Sequence, residues 1–455
     1  MRSKIIAAAI AALMVLLCSV VIPTNTASAA VQNLNDQMTV EDGSTTEFGG
    51  GDQFIVRFGE DAAFGVVWGT EENPNSIYIV SYMSRYLGYM DIYDSQGDLL
   101  KDDHMIKMYS VYAVKMDSLV EFNDANGDGT VRYWRTLDPA TGEYSNYIPA
   151  LGPFTQEPLY KRVSLNTSWA ATAPVMTEED GKKSWTFSLT AQNLHYIGIS
   201  DGADTSGVLD NITLTFKLDA STVYVEDASV PQYSIDMSTG GWFSNLQKVA
   251  DKTVSGDITS YHVKWDKEIK GWDYEAENDN RALLMEFDNL VGNFIPPAAD
   301  WVMAFNLYVR MVEAMGGGAY MRADTGSETI YNGTSTVTGN GQALSTPRLT
   351  FGGERTSVAT FEWVQNCTVD GDEVQSHSQV TWIFPFRTWS WGGMQFTGFA
   401  VLTGITFPGG AEIYQDPSVS SEVMTDVGPL PISVSGDPLN FPIGLLFVVG
   451  AVVIM

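Results

Sequence analysis

Short runs of alternating apolar and polar residues, broken by turn formers, fill most of the chain. Phe54-Ile-Val-Arg-Phe58, Ser76-Ile-Tyr-Ile-Val80, Trp185-Thr-Phe-Ser-Leu189, Ile212-Thr-Leu-Thr-Phe216 and Thr381-Trp-Ile-Phe-Pro-Phe386 have this texture. Period-two alternation sends neighbouring side chains to opposite faces of a strand, and β-branched and aromatic residues suit a half-buried pleated surface. Turn signals separate the runs, among them Asp94-Ser-Gln-Gly97, Glu179-Asp-Gly181 and Val369-Asp-Gly371. Frequent strands with Asp/Gly turns predict a mostly-β protein built of β-sandwiches, Ig-like or jelly-roll-like.

One stretch departs from this texture. Residues 298–315 follow Pro296-Pro297 and stop at Gly316-Gly-Gly318. Proline before and glycine after are helix start and stop signals. At 3.6 residues per turn, Asn306, Arg310 and Glu313 gather on one face, and the rest is mainly apolar. The expectation is an amphipathic helix packed on a sheet. The sharper alternative is a membrane-interface or partner-binding helix.

Two short similarities suggest duplication. Val225-Glu-Asp-Ala-Ser-Val230 resembles Tyr414-Gln-Asp-Pro-Ser-Val419, and Glu121-Phe-Asn-Asp124 resembles Glu286-Phe-Asp-Asn289, in the same order. Two related sandwich domains would explain them. The expected organisation is therefore a first β domain at 31–240 and a second at 241–425, with helix 298–315 inserted in the second.

The ends read differently. Arg2 and Lys4, the apolar run from Ile5 to Ile22 and the small residues Ala27-Ser-Ala29 make a secretory signal over residues 1–30. Residues 426–440 carry Pro429, Pro431 and Pro438 and read as an extended stalk. Residues 441–455 are apolar throughout. Fifteen helical residues reach roughly 22 Å, somewhat short of the about 20 residues that a bilayer core needs. The expectation is an apolar C-terminal membrane anchor.

Charge narrows the partners. Without Arg2 and Lys4 the chain has 23 basic against 55 acidic residues, a net of −32. Such a surface repels phosphate backbones, so nucleic acid is excluded as a partner, whereas divalent cations are favoured. Cys367 is the one cysteine outside the signal, so an exported domain has no intrachain disulfide and needs large cores, metal or assembly instead.

The most specific chemical motif is Asp124-Ala-Asn126-Gly-Asp128-Gly129-Thr130. It matches the opening of a calcium loop, in which Asp124, Asn126 and Asp128 converge on one ion, glycine allows the sharp turn and Thr130 offers its carbonyl. The twelfth position is Arg135 and not a bidentate Glu, which excludes an EF-hand proper. Glu121, Asp117 or Asp138 would then supply the missing carboxylate. The competing reading is a metal-free Asn-Gly/Asp-Gly turn. Asp370-Gly-Asp372-Glu373 reads as a solvated hairpin tip.

Other chemistry is sparse. His104, His195, His262 and His377 show no metal-ligand spacing, and neither a nucleophile elbow nor a phosphate loop is present. No catalytic residue stands out, which leans the reading away from an enzyme. Cys367 reads as structural. Trp389 and Trp391 fall on one strand face, either as a sugar platform or as core. Sequons at Asn166, Asn211, Asn332 and Asn366 are candidate glycosylation sites in an exported chain.

The signal, acidic β-rich ectodomain, D-x-N-x-D-G loop, sequons, proline-rich stalk and apolar C-terminus together resemble archaeal-type single-pass cell-envelope proteins. The resemblance lies in architecture and transfers no catalytic residue. It implies an extracellular, membrane-anchored surface protein, S-layer-like, with a structural-envelope or adhesion role, self-assembly or surface glycans as partners, and calcium as a stabilising ion. Two other classes compete. A carbohydrate-binding or carbohydrate-cleaving ectodomain requires exposed Trp389 and Trp391 near paired carboxylates. An extracellular solute receptor requires a deep interdomain pocket.

Overall fold

A computed structural model describes residues 38–59, 62–93, 96–137, 144–149, 157–179, 182–236, 245–275, 280–294, 323–324, 329–331, 342–344, 347–353, 356–391 and 394–427. The signal at 1–30, the helix expected at 298–315, the C-terminal segment 441–455 and Asn332 lie outside these residues. So does the expected stalk, except for Asp426 and Val427, which close the last strand.

The described chain is almost all strand. Its first part contains β1 (Met38–Thr45), β2 (Gly51–Phe58), β3 (Ala62–Trp68), β4 (Ile77–Tyr93), β5 (Leu99–Asn123), β6 (Tyr133–Leu137), β7 (Tyr144–Pro149), β8 (Leu159–Ser164), β9 (Ala170–Ala171), β10 (Val175–Glu179), β11 (Lys182–His195), β12 (Ile197–Gly198) and β13 (Val208–Asp236). The rest comprises β14 (Asn245–Lys270), β15 (Arg281–Phe294), β16 (Ala323–Asp324), β17 (Thr329–Tyr331), β18 (Gln342–Ala343), β19 (Arg348–Gly353), β20 (Thr356–Trp363), β21 (Asn366–Val369), β22 (Asp372–Gln375), β23 (His377–Trp391), β24 (Met394–Pro408), β25 (Glu412–Gln415) and β26 (Pro417–Val427). No helix among the described residues is long and apolar enough to cross a membrane.

The pairing forms two facing layers. One runs β1-β2-β3-β4-β5-β15-β24-β23, with β8 replacing β4 beside the end of β5. The other runs β10-β11-β13-β14-β26-β20-β19. Rings from opposite layers meet between them: Phe54 and Phe187 at 5.4 Å, Phe64 and Tyr261 at 4.9 Å, Tyr112 and Phe351 at 4.9 Å, Phe287 and Phe361 at 5.3 Å. The alternating runs built this core, because each strand turns its apolar set inward. Phe187 and Leu189 of β11 and Ile212, Leu214 and Phe216 of β13 are buried. Each such side chain contributes about 1.5–3 kcal/mol by leaving water. The mostly-β sandwich is thus observed.

Strands from both expected halves are neighbours within each layer. β5 pairs with β15, and β13 pairs with β14 from Asn211–Lys270 to Asp236–Asn245. Hydrogen bonding is therefore continuous across the boundary expected at 240/241.

β13 is 29 residues long, a contour of about 95 Å at 3.3 Å per residue. Its distal part, Gln232–Asp236, pairs in parallel with Tyr89–Tyr93 of β4, whereas the layer ladders are antiparallel. Polar clips reinforce this junction. Gln232 Nε2 donates to Asp91 Oδ2 at 2.9 Å and to Asp103 Oδ1 at 3.3 Å, and Lys252 pairs with Asp103.

The tip between β21 and β22 follows its sequence signal. Asp370 and Gly371 have φ of 52° and 90°, the two positive values that a two-residue hairpin turn requires. Asp370, Asp372 and Glu373 are exposed there, as a solvated tip.

Candidate metal centre

The Asp124–Thr130 loop leaves the end of β5 and enters β6. Strands fix it on several sides. Asp124 N–H donates to Asn280 O at 2.8 Å, and Asn123 N–H donates to Pro158 O at 3.1 Å. Thr406 of β24 donates its hydroxyl to Gly129 O. The buried Gln379 side chain pairs with Val131 through both its amide atoms, each at 2.8 Å. Beneath, Val120, Phe122, Val131, Tyr133, Leu159, Ala282 and Leu284 form a small apolar cluster that seats the loop.

The loop's own hydrogen bonds set its curvature. Asp124 Oδ2 accepts Gly129 N–H at 3.0 Å, Asn126 Oδ1 accepts Asp128 N–H at 2.8 Å, and Asn126 Nδ2 donates to Asp128 Oδ2 at 3.0 Å. Thr130 donates both its N–H and its hydroxyl to Asp128 Oδ1, each at 2.8 Å. Gly127 and Gly129 have φ of 73° and 70°, which L side chains avoid. At Gly129 a Cβ would also lie 2.2 Å from His377 Cδ2, so glycine is required twice over.

Arg135, at the twelfth position, faces away into a buried ion network. Its Nη1 donates to Asp117 Oδ2 and, at 3.0 Å, to Glu286 Oε2. Tyr133 and Ser118 donate their hydroxyls to Glu286, and Lys115 lies 3.2 Å from Asp117 Oδ1. Burial opposes ionisation of Asp117, yet Arg135 and Lys115 hold its carboxyl well below the usual carboxylate range. This network joins β6 to β5 and β15.

Two of the three expected stand-in carboxylates are therefore engaged elsewhere. Asp117 belongs to the Arg135 network. Glu121 accepts Trp272 Nε1 at 3.0 Å and Glu275 N–H at 2.7 Å. Asp138 lies outside the described residues. The acid that reaches the loop is Glu157, just before β8. One oxygen from each of Asp124, Asp128 and Glu157 lies within 4.8 Å of the others. Glu157 is only 7% exposed, and neither its Oε1 nor Asp124 Oδ1 has a hydrogen-bond partner. Burial first, then the charges of Asp124 and Asp128, push the Glu157 carboxyl up to about 8. No local motif marks Glu157; the pairing at Asn123 and Pro158 brings it to the loop.

A second acidic triad, Asp91, Asp102 and Asp103, sits at the parallel junction. Asp102 is exposed, and its carboxyl is raised mainly by the neighbouring Asp103 charge.

The remaining predicted sites scatter. Trp389 and Trp391 pair with Phe396 and Met394 in the β23–β24 ladder. Asn166 and Asn366 are exposed, and Asn211 is half-buried with its Nδ2 3.2 Å from Thr213 Oγ1. Cys367 is buried, and burial pushes its thiol up to about 11, as for a structural residue. Among the described residues no histidine joins a metal-ligand cluster. No known family model matches the chain, and no curated protein matches it.

Proposed function

We propose that this chain is an exported, acidic cell-surface protein with a structural-envelope or adhesion role, anchored through its C-terminal segment and stabilised by calcium at the Asp124–Thr130 loop. The observation that carries this reading is where the buried polar groups are used. Asp117, Arg135, Lys115 and Glu286 neutralise one another at strand crossings, with side chains at most 9% exposed. They hold a framework together and leave no reactive group facing solvent. The acidic balance of 55 Asp and Glu against 25 Lys and Arg attracts divalent cations to such a framework. The runner-up, a carbohydrate-binding ectodomain, draws on Trp389 and Trp391 standing two residues apart in β23.

Sedimentation velocity of the secreted protein in calcium and then in chelator tests the proposal. Growth into larger species in calcium alone supports an assembling surface protein. A monomer under both conditions contradicts self-assembly and moves attention to glycan binding at Trp389 and Trp391.

A further inference from the structure

The Asp124–Thr130 loop by itself is a poor ion trap. Most of its side-chain oxygens already accept loop N–H or hydroxyl groups. What remains is Asp124 Oδ1, buried and without a partner. Such a loop needs a carboxylate from elsewhere, and Arg135 cannot provide it.

We propose that Glu157 is that carboxylate, and that Asp124, Asp128 and Glu157 together form a hard divalent-cation site of the calcium class. The inference deepens the calcium reading above and rests on it. Three observations support it. The first is distance. Oxygens bound to one calcium at 2.3–2.6 Å lie at most about 5 Å apart, and these three carboxylates each offer an oxygen within 4.8 Å of the others. The second is burial. Glu157 is 7% exposed, its Oε1 accepts no N–H or hydroxyl, and its carboxyl lies against that of Asp124, a costly arrangement for two ionised acids unless a cation sits between them. Asp124 Oδ1, equally unpartnered, is the natural co-ligand. The third is chemistry. All donors are oxygens, with neither imidazole nor thiolate in the cluster, which suits calcium over zinc or copper.

The Asp91, Asp102 and Asp103 triad gives no parallel proposal. Lys252 and Gln232 already compensate it, and Asp102 is exposed.

The site has a structural consequence. Glu157 lies two residues before β8, and Asp124 immediately follows β5, so a bound ion ties the two ends of the excursion that contains β6 and β7. An ion that binds the folded loop and not the unfolded chain adds its binding free energy to the stability of the fold. The ion thus takes the place that a disulfide holds in many exported domains.

Calcium titration of the full-length secreted protein by calorimetry, paired with thermal melts in calcium and in chelator, tests the proposal. Wild type is expected to bind one high-affinity calcium and to melt higher in calcium. Glu157→Gln is expected to bind at least tenfold more weakly and to lose the calcium-dependent shift. In chelator it should melt at or above wild type, since it removes an uncompensated acid, and this separates a lost ligand from a damaged fold. Asp372→Asn at the exposed β21–β22 hairpin tip should leave the titration unchanged. Wild-type affinity retained in Glu157→Gln overturns the role of Glu157 while leaving calcium at the loop intact. Absence of binding by wild type overturns both readings.

Discussion

The two acidic triads look alike in composition and differ in what neutralises them. At the strand junction, Asp103 pairs with Lys252, and Gln232 donates to Asp91 and Asp103. Side chains there are partly exposed, and water screens what the protein leaves over. At the loop, Asp124, Asp128 and Glu157 converge with no basic side chain among them. Glu157 is nearly buried, so water cannot substitute. Carboxylates are unremarkable in so acidic a chain; an acid removed from both water and counter-charge is what points to a missing cation. The Arg135 network is a third solution, with buried acids and their counter-charge built in. Lys267 is the mirror case: a fully buried amine that donates to Met285 Sδ at 3.6 Å, with its nitrogen over Phe407 at 4.5 Å.

Removing the built-in counter-charge is the most damaging change. Arg135→Ala leaves Glu286 buried without its counter-charge and Asp117 with Lys115 alone, with an expected cost of about 3–5 kcal/mol, read from urea denaturation. A loss below about 1 kcal/mol would show that the network is no more consequential than a surface pair.

Lys267 sharpens the contrast from the opposite sign. Burial lowers its pKa from 10.5 to about 7. Between those values the unfolded chain binds a proton that the folded chain does not, so stability rises with pH across that window. Lys267→Met should therefore be more stable than wild type near pH 7, and its advantage should shrink as pH approaches 10. An advantage independent of pH would mean that Lys267 stays charged in the core.

Gly129→Ala acts on the loop itself. A positive φ and the His377 ring both oppose a Cβ there. The expected cost is about 1–3 kcal/mol, together with weaker calcium binding in a calorimetric titration. Unchanged calcium affinity would separate loop curvature from ion binding. The smallest effect belongs to the junction triad. Lys252→Ala should alter the urea midpoint by less than about 1 kcal/mol in free-energy terms and leave calcium binding untouched. A change in calcium affinity would merge the two triads and break the comparison.

The sequence showed these features unequally. Alternating runs such as Ile212–Phe216 identified strands because side-chain direction is a local property. The Asp370-Gly371 turn was legible for the same reason, since its residue types match the backbone angles observed. The extent of β13 was not, because pairing with β14 and β4, a long-range property, keeps residues 221–236 extended. Interleaving of the two halves was equally hidden, because partner choice is a long-range property. At the site, Asp124, Asn126 and Asp128 form a motif legible by spacing alone. Glu157 carries no local signal, and the long-range pairing of β5 with β8, with the hydrogen bond between Asn123 and Pro158, brings it near. Arg135 was read as a defect in the motif, whereas in the fold it belongs to another network.

The most direct test is a crystal structure of the protein grown in calcium. The account predicts one ion bound by Asp124, Asp128 and Glu157 with oxygen distances of about 2.3–2.6 Å. An ion-free loop, with Glu157 hydrogen-bonded to Asp124, would contradict it.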